Sequence, residues 1–246
     1  MKSAVVTGAG SGIGKASVDC FLTAGWQVLA IDLRYMGSMA EKGVTRAVCD
    51  VTADEQVSEV VETFARGVGG IDALVNSAAI QPIGDPLGAA PEEWRRTLDV
   101  NVRGIAVMVQ ACRPWLARRA GGIVNVSSVH ARATSPEIGV YAASKGAVSA
   151  FTRALAVQLA AEQIRVNAVL PGAVDTSMLR VSLSRSGGEV EVAIADLGAR
   201  TVMGRVGTPD EIARTIYFLA DSEASPFTTG TELVVDGGAS ARLSTE

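Results

Sequence analysis

Apolar runs of strand length alternate with amphipathic helical patterns from one end of this chain to the other, and few architectures accommodate that alternation. Parallel strands need a long crossover between neighbours, and a helix is the usual one. The pattern therefore predicts an α/β fold, a doubly wound parallel sheet of about seven strands with helices on both faces. Strands are expected at residues 4–7, 28–31, 45–49, 73–76, 123–126, 165–170 and 232–235, and helices at 12–24, 53–68, 91–118, 141–161 and 209–221. No repeat, low-complexity tract or linker interrupts the series, so residues 1–246 are expected to form one domain. With 48% of its residues hydrophobic, a chain of this length can bury a large core.

Charge and cysteine usage exclude several classes. The net charge is −4 and the basic residues are scattered singly or in pairs, which predicts no nucleic-acid partner. Cys20, Cys49 and Cys112 are widely spaced in apolar surroundings, there is no C-x-x-C, and the chain has one histidine. They read as buried thiols in a reducing, cytoplasmic setting, with no metal site. Neither a signal peptide nor a membrane span is expected.

The first strand runs into Thr7-Gly8-Ala9-Gly10-Ser11-Gly12-Ile13-Gly14, and a helix follows at once. Glycines there let the backbone approach a pyrophosphate, while the helix N-terminus supplies N–H donors and partial positive charge. The spacing is G-x-x-x-G-x-G. It is neither the G-x-G-x-x-G of the common dinucleotide fingerprint nor a Walker A loop, the latter because Lys15 is followed by Ala16. These features make the sheet Rossmann-like. Asp32, at the end of the second strand, can accept both hydroxyls of an adenosine ribose and would repel a 2′-phosphate. Ser11 supports NAD over NADP, since a basic loop residue would be the natural partner of that phosphate; Arg34 argues weakly the other way. Asp50 could take the adenine amino group with Val51 packed on the ring, and the small residues Asn76-Ser77-Ala78-Ala79 would let a ribose pass close to backbone. Each of these lies at the carboxyl end of an expected strand, where open α/β sheets bind ligands.

Tyr141 and Lys145 stand four apart at the start of a helical pattern, so their side chains share a face one turn apart. Lowering a tyrosine from about 10 to about 7 takes roughly 4 kcal/mol, which one cation at ~4 Å supplies at an effective dielectric of ~20. Ser128, at a strand end thirteen residues earlier, would add a hydroxyl to the oxygen whose proton moves. Asn101 sits within an expected helix, where asparagine interrupts the ladder or holds a water; alone it reads as a surface polar residue. Residues 177–205 carry apolar residues without clean periodicity, Gly187-Gly188, and Arg180, Arg185, Arg200 and Arg205, which suggests a mobile lid.

Taken together, Thr7-Gly8 through Gly14, Asp50-Val51, Asn76 to Ala79, Asn101, Ser128, Tyr141 with Lys145, Pro171-Gly172 with Thr176, and Val235 to Gly238 resemble the short-chain dehydrogenase/reductase family. The likeness runs from Val5 to Gly238. One departure is Ala79, where the family usually has glycine. The resemblance implies a tetrad of Asn101, Ser128, Tyr141 and Lys145. Tyr141 would move the hydroxyl proton, Lys145 would lower its pKa and hold the nicotinamide ribose, Ser128 would orient the substrate oxygen, and Asn101 would hold a relay water. It further implies cofactor contacts from Gly8, Ser11, Gly12, Ile13, Gly14, Asp32, Asp50, Val51, Asn76, Ala78, Tyr141, Lys145, Pro171, Gly172, Val174 and Thr176, the last at the carboxamide. A homotetramer, or a homodimer, is implied as well, with the Tyr141 and Asn101 helices at subunit faces.

The expected activity is NAD-dependent interconversion of a secondary alcohol and a ketone on a small-molecule substrate. Ser128-Val129-His130 followed by Tyr141 to Lys145 is similar to the sugar and polyol branch, with Ser128, His130 and Tyr141 meeting the substrate. An anionic substrate met by Arg132 or the lid arginines competes with that reading. Two others stand beside it: an NADPH-dependent 3-oxoacyl reductase, and a protein that binds NAD without turnover.

Overall fold

The computed structural model describes residues 1–35, 42–185 and 188–242. In chain order the elements are β1 (Ser3–Thr7), α1 (Gly12–Thr23), β2 (Gln27–Asp32), β3 (Val44–Val48), α2 (Asp54–Val68), β4 (Ala73–Asn76), α3 (Pro91–Leu98), α4 (Gly104–Ala117), β5 (Gly122–Val126), α5 (Gly139–Leu159), β6 (Arg165–Pro171), α6 (Ser177–Ser184), α7 (Val190–Ala199), α8 (Pro209–Ala220) and β7 (Glu232–Val235). Among the described residues seven strands form one sheet in the order β3-β2-β1-β4-β5-β6-β7, every pair parallel. The order reverses between β1 and β4. At that point successive crossovers leave on opposite faces, and a crevice opens beyond the carboxyl ends of the strands.

Strand alternation sorts the core into two layers. Val5, Leu29, Leu74, Ile123 and Val166 face one way, onto Val61 and Phe64 of α2, Met108 and Cys112 of α4, and Val148 and Leu155 of α5. Val6, Val28, Ala30, Val75, Val124 and Val169 face the other way, onto Val18 and Phe21 of α1 and Ile212, Ile216 and Leu219 of α8. Cys49 and Cys112 are buried and Cys20 half-buried, and all three thiols are free.

Three expectations change. The helix expected over 91–118 is broken by a π-helical turn, Asp99–Arg103, between α3 and α4. Asn101 lies inside that turn and is 1% exposed, so it is not a surface residue. The wider turn swings it inward, where its carboxamide finds partners that a regular helix would deny it. Second, β3 covers 44–48, one residue earlier than expected. Third, the segment 177–205 contains two helices, α6 and α7, whose residues are half-buried or exposed apart from Gly198, which explains why no core-facing period is visible in their sequence. Gly187 lies outside the described residues.

Candidate active site

The turn from β1 into α1 is packed too closely for side chains. A Cβ on Gly14 would sit 2.1 Å from the Gly8 carbonyl oxygen, and one on Gly8 would sit 2.8 Å from the Ala78 nitrogen. Gly8 and Gly12 also have φ of 65° and 51°, where a side chain is strained. Thr7 Oγ1 accepts from the Ser77 and Ala78 N–H groups, both at 3.1 Å, and laces the end of β4 to this loop. Ser11 takes the N-cap position of α1 but makes no side-chain cap bond, which leaves first-turn N–H groups for an outside acceptor. Asp32 Oδ2 accepts from the Gly10 N–H at 2.8 Å and Oδ1 from the Arg34 N–H at 3.1 Å. Each oxygen keeps a lone pair for a further donor.

A cleft of about 450 Å³ begins at Asp32, Gly8, Ser11, Gly12 and Ile13 and runs past Ser77 and Ala79 to Ser128, Tyr141 and Lys145. Pro171, Gly172, Val174 and Thr176 line it from the end of β6. Glycine at 172 is required by a close approach, because a Cβ there would meet Asp236 Cβ at 2.7 Å. Thr176 Oγ1 caps α6 by accepting from the Leu179 N–H at 3.3 Å, which leaves its hydroxyl proton to donate. This is a cradle shaped for a dinucleotide: a glycine turn without room for side chains, unpaired N–H groups at a helix start, and a carboxylate one strand away.

Tyr141 and Lys145 lie in the first two turns of α5, 8% and 3% exposed. Ser128 follows the end of β5, its hydroxyl bonded to the Tyr141 hydroxyl and accepting the His130 N–H at 3.2 Å. Lys145 Nζ donates to the Val126 carbonyl at 2.7 Å and lies 5.5 Å from the centroid of the Tyr141 ring. Burial pushes the Tyr141 phenol up to about 12, with the Ser128 hydrogen bond pulling in the other direction. Burial likewise brings the Lys145 ammonium down to about 8. The simple sequence argument set one cation against one phenol and gave desolvation no weight. In the folded chain desolvation dominates both groups, and the ammonium lies against the ring face and a carbonyl.

Gly14, Asp50, Val51, Asn76, Ala78 and Asn101 are not among the residues lining the cleft. Asp50 Oδ1 accepts from the N–H and hydroxyl of Thr52 at 2.9 and 2.7 Å. Asn76 points sideways: its Nδ2 donates to Asn125 Oδ1 at 2.8 Å, and Asn125 Nδ2 donates to Thr152 Oγ1 at 2.9 Å, a buried chain linking β4, β5 and α5. That donation ties Asn76 into the sheet, while its own Oδ1 is buried without a partner among the described residues. Asn101 Oδ1 accepts from the Ile80 N–H at 2.8 Å, and its Nδ2 donates to the Ile80 carbonyl and to Ser144 Oγ, both at 2.9 Å. Both amide hydrogens are thus committed to protein partners.

At the far end of the cleft His130 stands edge-on to Tyr141, ring centroids 6.0 Å apart, with Nδ1 at 3.0 Å from Thr134 Oγ1. Burial holds its pKa below the ordinary histidine value, so the ring is neutral at pH 7. Gln81, Ser135 and Ile138 line this end too, with Leu179 and Leu183 of α6 and Leu197 of α7 opposite. Sequence reasoning passed over Gln81. The available signal was its place five residues beyond Asn76, just past a strand end where ligands gather. Arg132 is paired with Glu232, Arg180 with Asp175 and Glu191, and Arg205 with Glu211.

Residues 8–240 match the family model described as enoyl-(acyl carrier protein) reductase. The chain is 37% identical over 246 residues to the 3-oxoacyl-[acyl-carrier-protein] reductase FabG of Thermotoga maritima, covering 96% of this chain and 97% of that protein. The ligand-free aldohexose dehydrogenase of Thermoplasma acidophilum superposes with a TM-score of 0.92 at 34% identity, covering 99% of this chain and 95% of that one. ElxO with NADP bound superposes with a TM-score of 0.88 at 27% identity, covering 98% and 99%. With the sheet order, the glycine turn and the Ser128, Tyr141 and Lys145 cluster on one cleft, these likenesses place the chain in the short-chain dehydrogenase/reductase family, oxidoreductases that work between alcohol and carbonyl with a nicotinamide nucleotide.

Proposed function

We propose that this chain is an NAD-dependent dehydrogenase of a secondary alcohol on a neutral, polyhydroxylated substrate of the sugar or polyol class. The observation that carries the cofactor preference is Asp32, fixed by two backbone N–H groups at the mouth of the cleft. Its charge repels a 2′-phosphate and its lone pairs suit a 2′-hydroxyl. The substrate end is polar without free charge. Ser128, His130, Gln81 and Ser135 offer donors and acceptors, whereas Arg132, Arg180 and Arg205 are bound to carboxylates. An anionic substrate would have to break one of those pairs or draw in Arg185 or Arg200, which do not line the cleft.

In this reading Tyr141 takes the hydroxyl proton of the alcohol, or returns it to the carbonyl. Ser128 hydrogen-bonds the reacting oxygen and holds it against the phenol. Lys145 steadies the phenolate and reaches the nicotinamide ribose. The glycine turn, Asp32 and Thr176 would hold a nicotinamide nucleotide, which would supply or take up the hydride, while Tyr141, raised by burial to about 12 against the pull of Ser128, handles the proton. Asn101 acts by holding the π-helical turn against Ile80 and the helix of Tyr141, and α6 with α7 serve as the lid that excludes water. The chain works as a homotetramer with α4 and α5 at subunit faces.

A second reading keeps the chemistry and reverses the cofactor: a 3-oxoacyl-type reductase using NADPH. The likeness to FabG, the NADP bound in ElxO and the presence of Arg34 beside Asp32 favour it. Absorbance at 340 nm with sugars, polyols, hydroxy acids and cyclic diols, run with NAD and again with NADP, separates the two. Turnover of a polyol with a higher kcat/KM for NAD is the expected result. A preference for the phosphorylated cofactor supports the second reading, and calorimetric NAD binding without turnover on any of them points to a binding protein.

A further inference from the structure

Val126, Ser127 and Ser128 are consecutive, and each holds a different atom of the Tyr141–Lys145 turn. The Val126 carbonyl accepts from Lys145 Nζ at 2.7 Å, Ser127 Oγ donates to the Lys145 carbonyl at 2.9 Å, and the Ser128 hydroxyl bonds the Tyr141 hydroxyl. The middle contact joins residues eighteen apart in sequence. Ser127 is itself fixed, because its N–H donates to the Val169 carbonyl at 2.9 Å and carries the β5–β6 ladder one residue beyond the end of β5. Its hydroxyl also lies 3.1 Å from Ser149 Oγ. A hydroxyl has one proton, so with that proton on the Lys145 carbonyl, Ser149 must be the donor between them.

Ser127 is 2% exposed, and a small apolar residue would fill the same space without a polar group to satisfy. The hydroxyl therefore does something that burial does not ask for. The Lys145 carbonyl lies within α5 and would be served by the helix ladder alone, so the extra bond ties the helix to the strand.

We propose that Ser127 is a positioning residue: its bond to the Lys145 carbonyl sets the depth of α5 against β5, so that Ser128 meets the Tyr141 hydroxyl while the Lys145 ammonium stays beneath that ring. The catalytic meaning of this rests on the functional reading above; the placement of Lys145 does not. Among the described residues the titratable group that packs against Lys145 is Tyr141, and His130 stands edge-on to Tyr141.

Steady-state kinetics on Ser127→Ala, Ser127→Thr and Ser149→Ala test the role. Ser127→Ala is expected to lower kcat about fivefold to tenfold with KM for the nucleotide within about twofold, the scale of one lost hydrogen bond. Ser127→Thr, which keeps a hydroxyl, restores most of it. Ser149→Ala spares the bond to the Lys145 carbonyl and stays within about twofold of the parent. Equal losses in both alanine variants, or none in Ser127→Ala, would overturn the proposal. If Ser127→Ala does not fold, Ser127→Cys, of similar volume and weak donor strength, takes its place with the same expectation.

A second arm needs no substrate. The chain has four lysines, so 13C-lysine NMR resolves the Lys145 ε-carbon. In Ser127→Ala its titration midpoint should rise from the wild-type value as the ammonium relaxes toward solvent. An unmoved midpoint refutes the positioning role. A moved midpoint in a protein that turns over nothing would refute the functional reading and leave the positioning role standing.

Discussion

Where β5 meets α5, the hydrogen bonds that position Tyr141 and Lys145 are buried: Ser127 to Lys145, Asn101 to Ser144, Ser144 to Tyr141 and Asn125 to Thr152. Where α6 and α7 cross the cleft, the polar contacts are different. Arg180 reaches Asp175 and Glu191 from a solvent-facing position, and the buried residues of those helices reduce to Gly198. The floor resists rearrangement because each broken contact would strand a buried polar group. The contacts of the roof can be exchanged for water at little cost. A site that must hold a proton donor to within a fraction of an ångström, and also admit a ligand, divides the two tasks between such regions.

The largest effect that sharpens this comparison is on the floor. Tyr141→Phe removes the phenol oxygen while leaving the ring that packs against Lys145 and His130. Turnover is expected to fall by about 10²–10⁴-fold, with the calorimetric Kd for the nucleotide nearly unchanged. Near-normal activity would show that the rigid floor does not carry the proton.

Next comes the stability that the floor sacrifices. Lys145 titrates near 8 in the folded chain against an ordinary lysine value of 10.5, so between those pH values the unfolded chain holds more protons and stability rises with pH. At pH 7 the buried ammonium destabilises the fold in full. Lys145→Met should therefore abolish turnover yet raise the unfolding free energy at pH 7 by on the order of 2 kcal/mol, after allowance for the lost bond to Val126. The gain should shrink when denaturation is repeated at pH 9.5. A variant less stable than the parent at pH 7 would mean that the ammonium is a net support and that the floor is not strained.

The smallest effect is expected on the roof. Arg180→Gln loosens the tie between α6, α7 and Asp175. The unfolding midpoint should stay nearly where it was and KM for substrate should rise about twofold to fivefold, an effect that added salt reproduces in the parent. A collapse in stability would break the comparison by making the roof part of the core.

Much of this was legible in the chain. The glycine turn, the Tyr141–Lys145 spacing and the strand alternation are signals carried within ten residues or fewer, where backbone geometry alone decides what faces what. The placement of Asp32 and Ser128 on one cleft followed from a rule about strand ends, a rule that also put Asp50 and Asn76 there, where neither lines the cleft; Thr176 came from the family resemblance. The segment 177–205 was opaque as structure because α6 and α7 bury too little to impose a period. Asn101 marked an interruption of the ladder, as a poor helix former does, but it was misjudged as to burial because the direction in which the π-helical turn swings it depends on the packing around it.

The sequence by itself determined the parallel α/β architecture, the nucleotide-shaped turn and the identity of the groups that could move a proton, since each depends on neighbours along the chain. Tertiary structure alone decided that Arg132 answers to Glu232, one hundred residues away, and is not free for an anion. It also decided that Asn76 turns its amide toward Asn125, that Ser127 grips Lys145, and that desolvation drives Tyr141 and Lys145 toward their neutral forms. Those outcomes depend on which distant groups share a volume from which water has been removed, and that volume exists only once the sheet and its helices have closed around it.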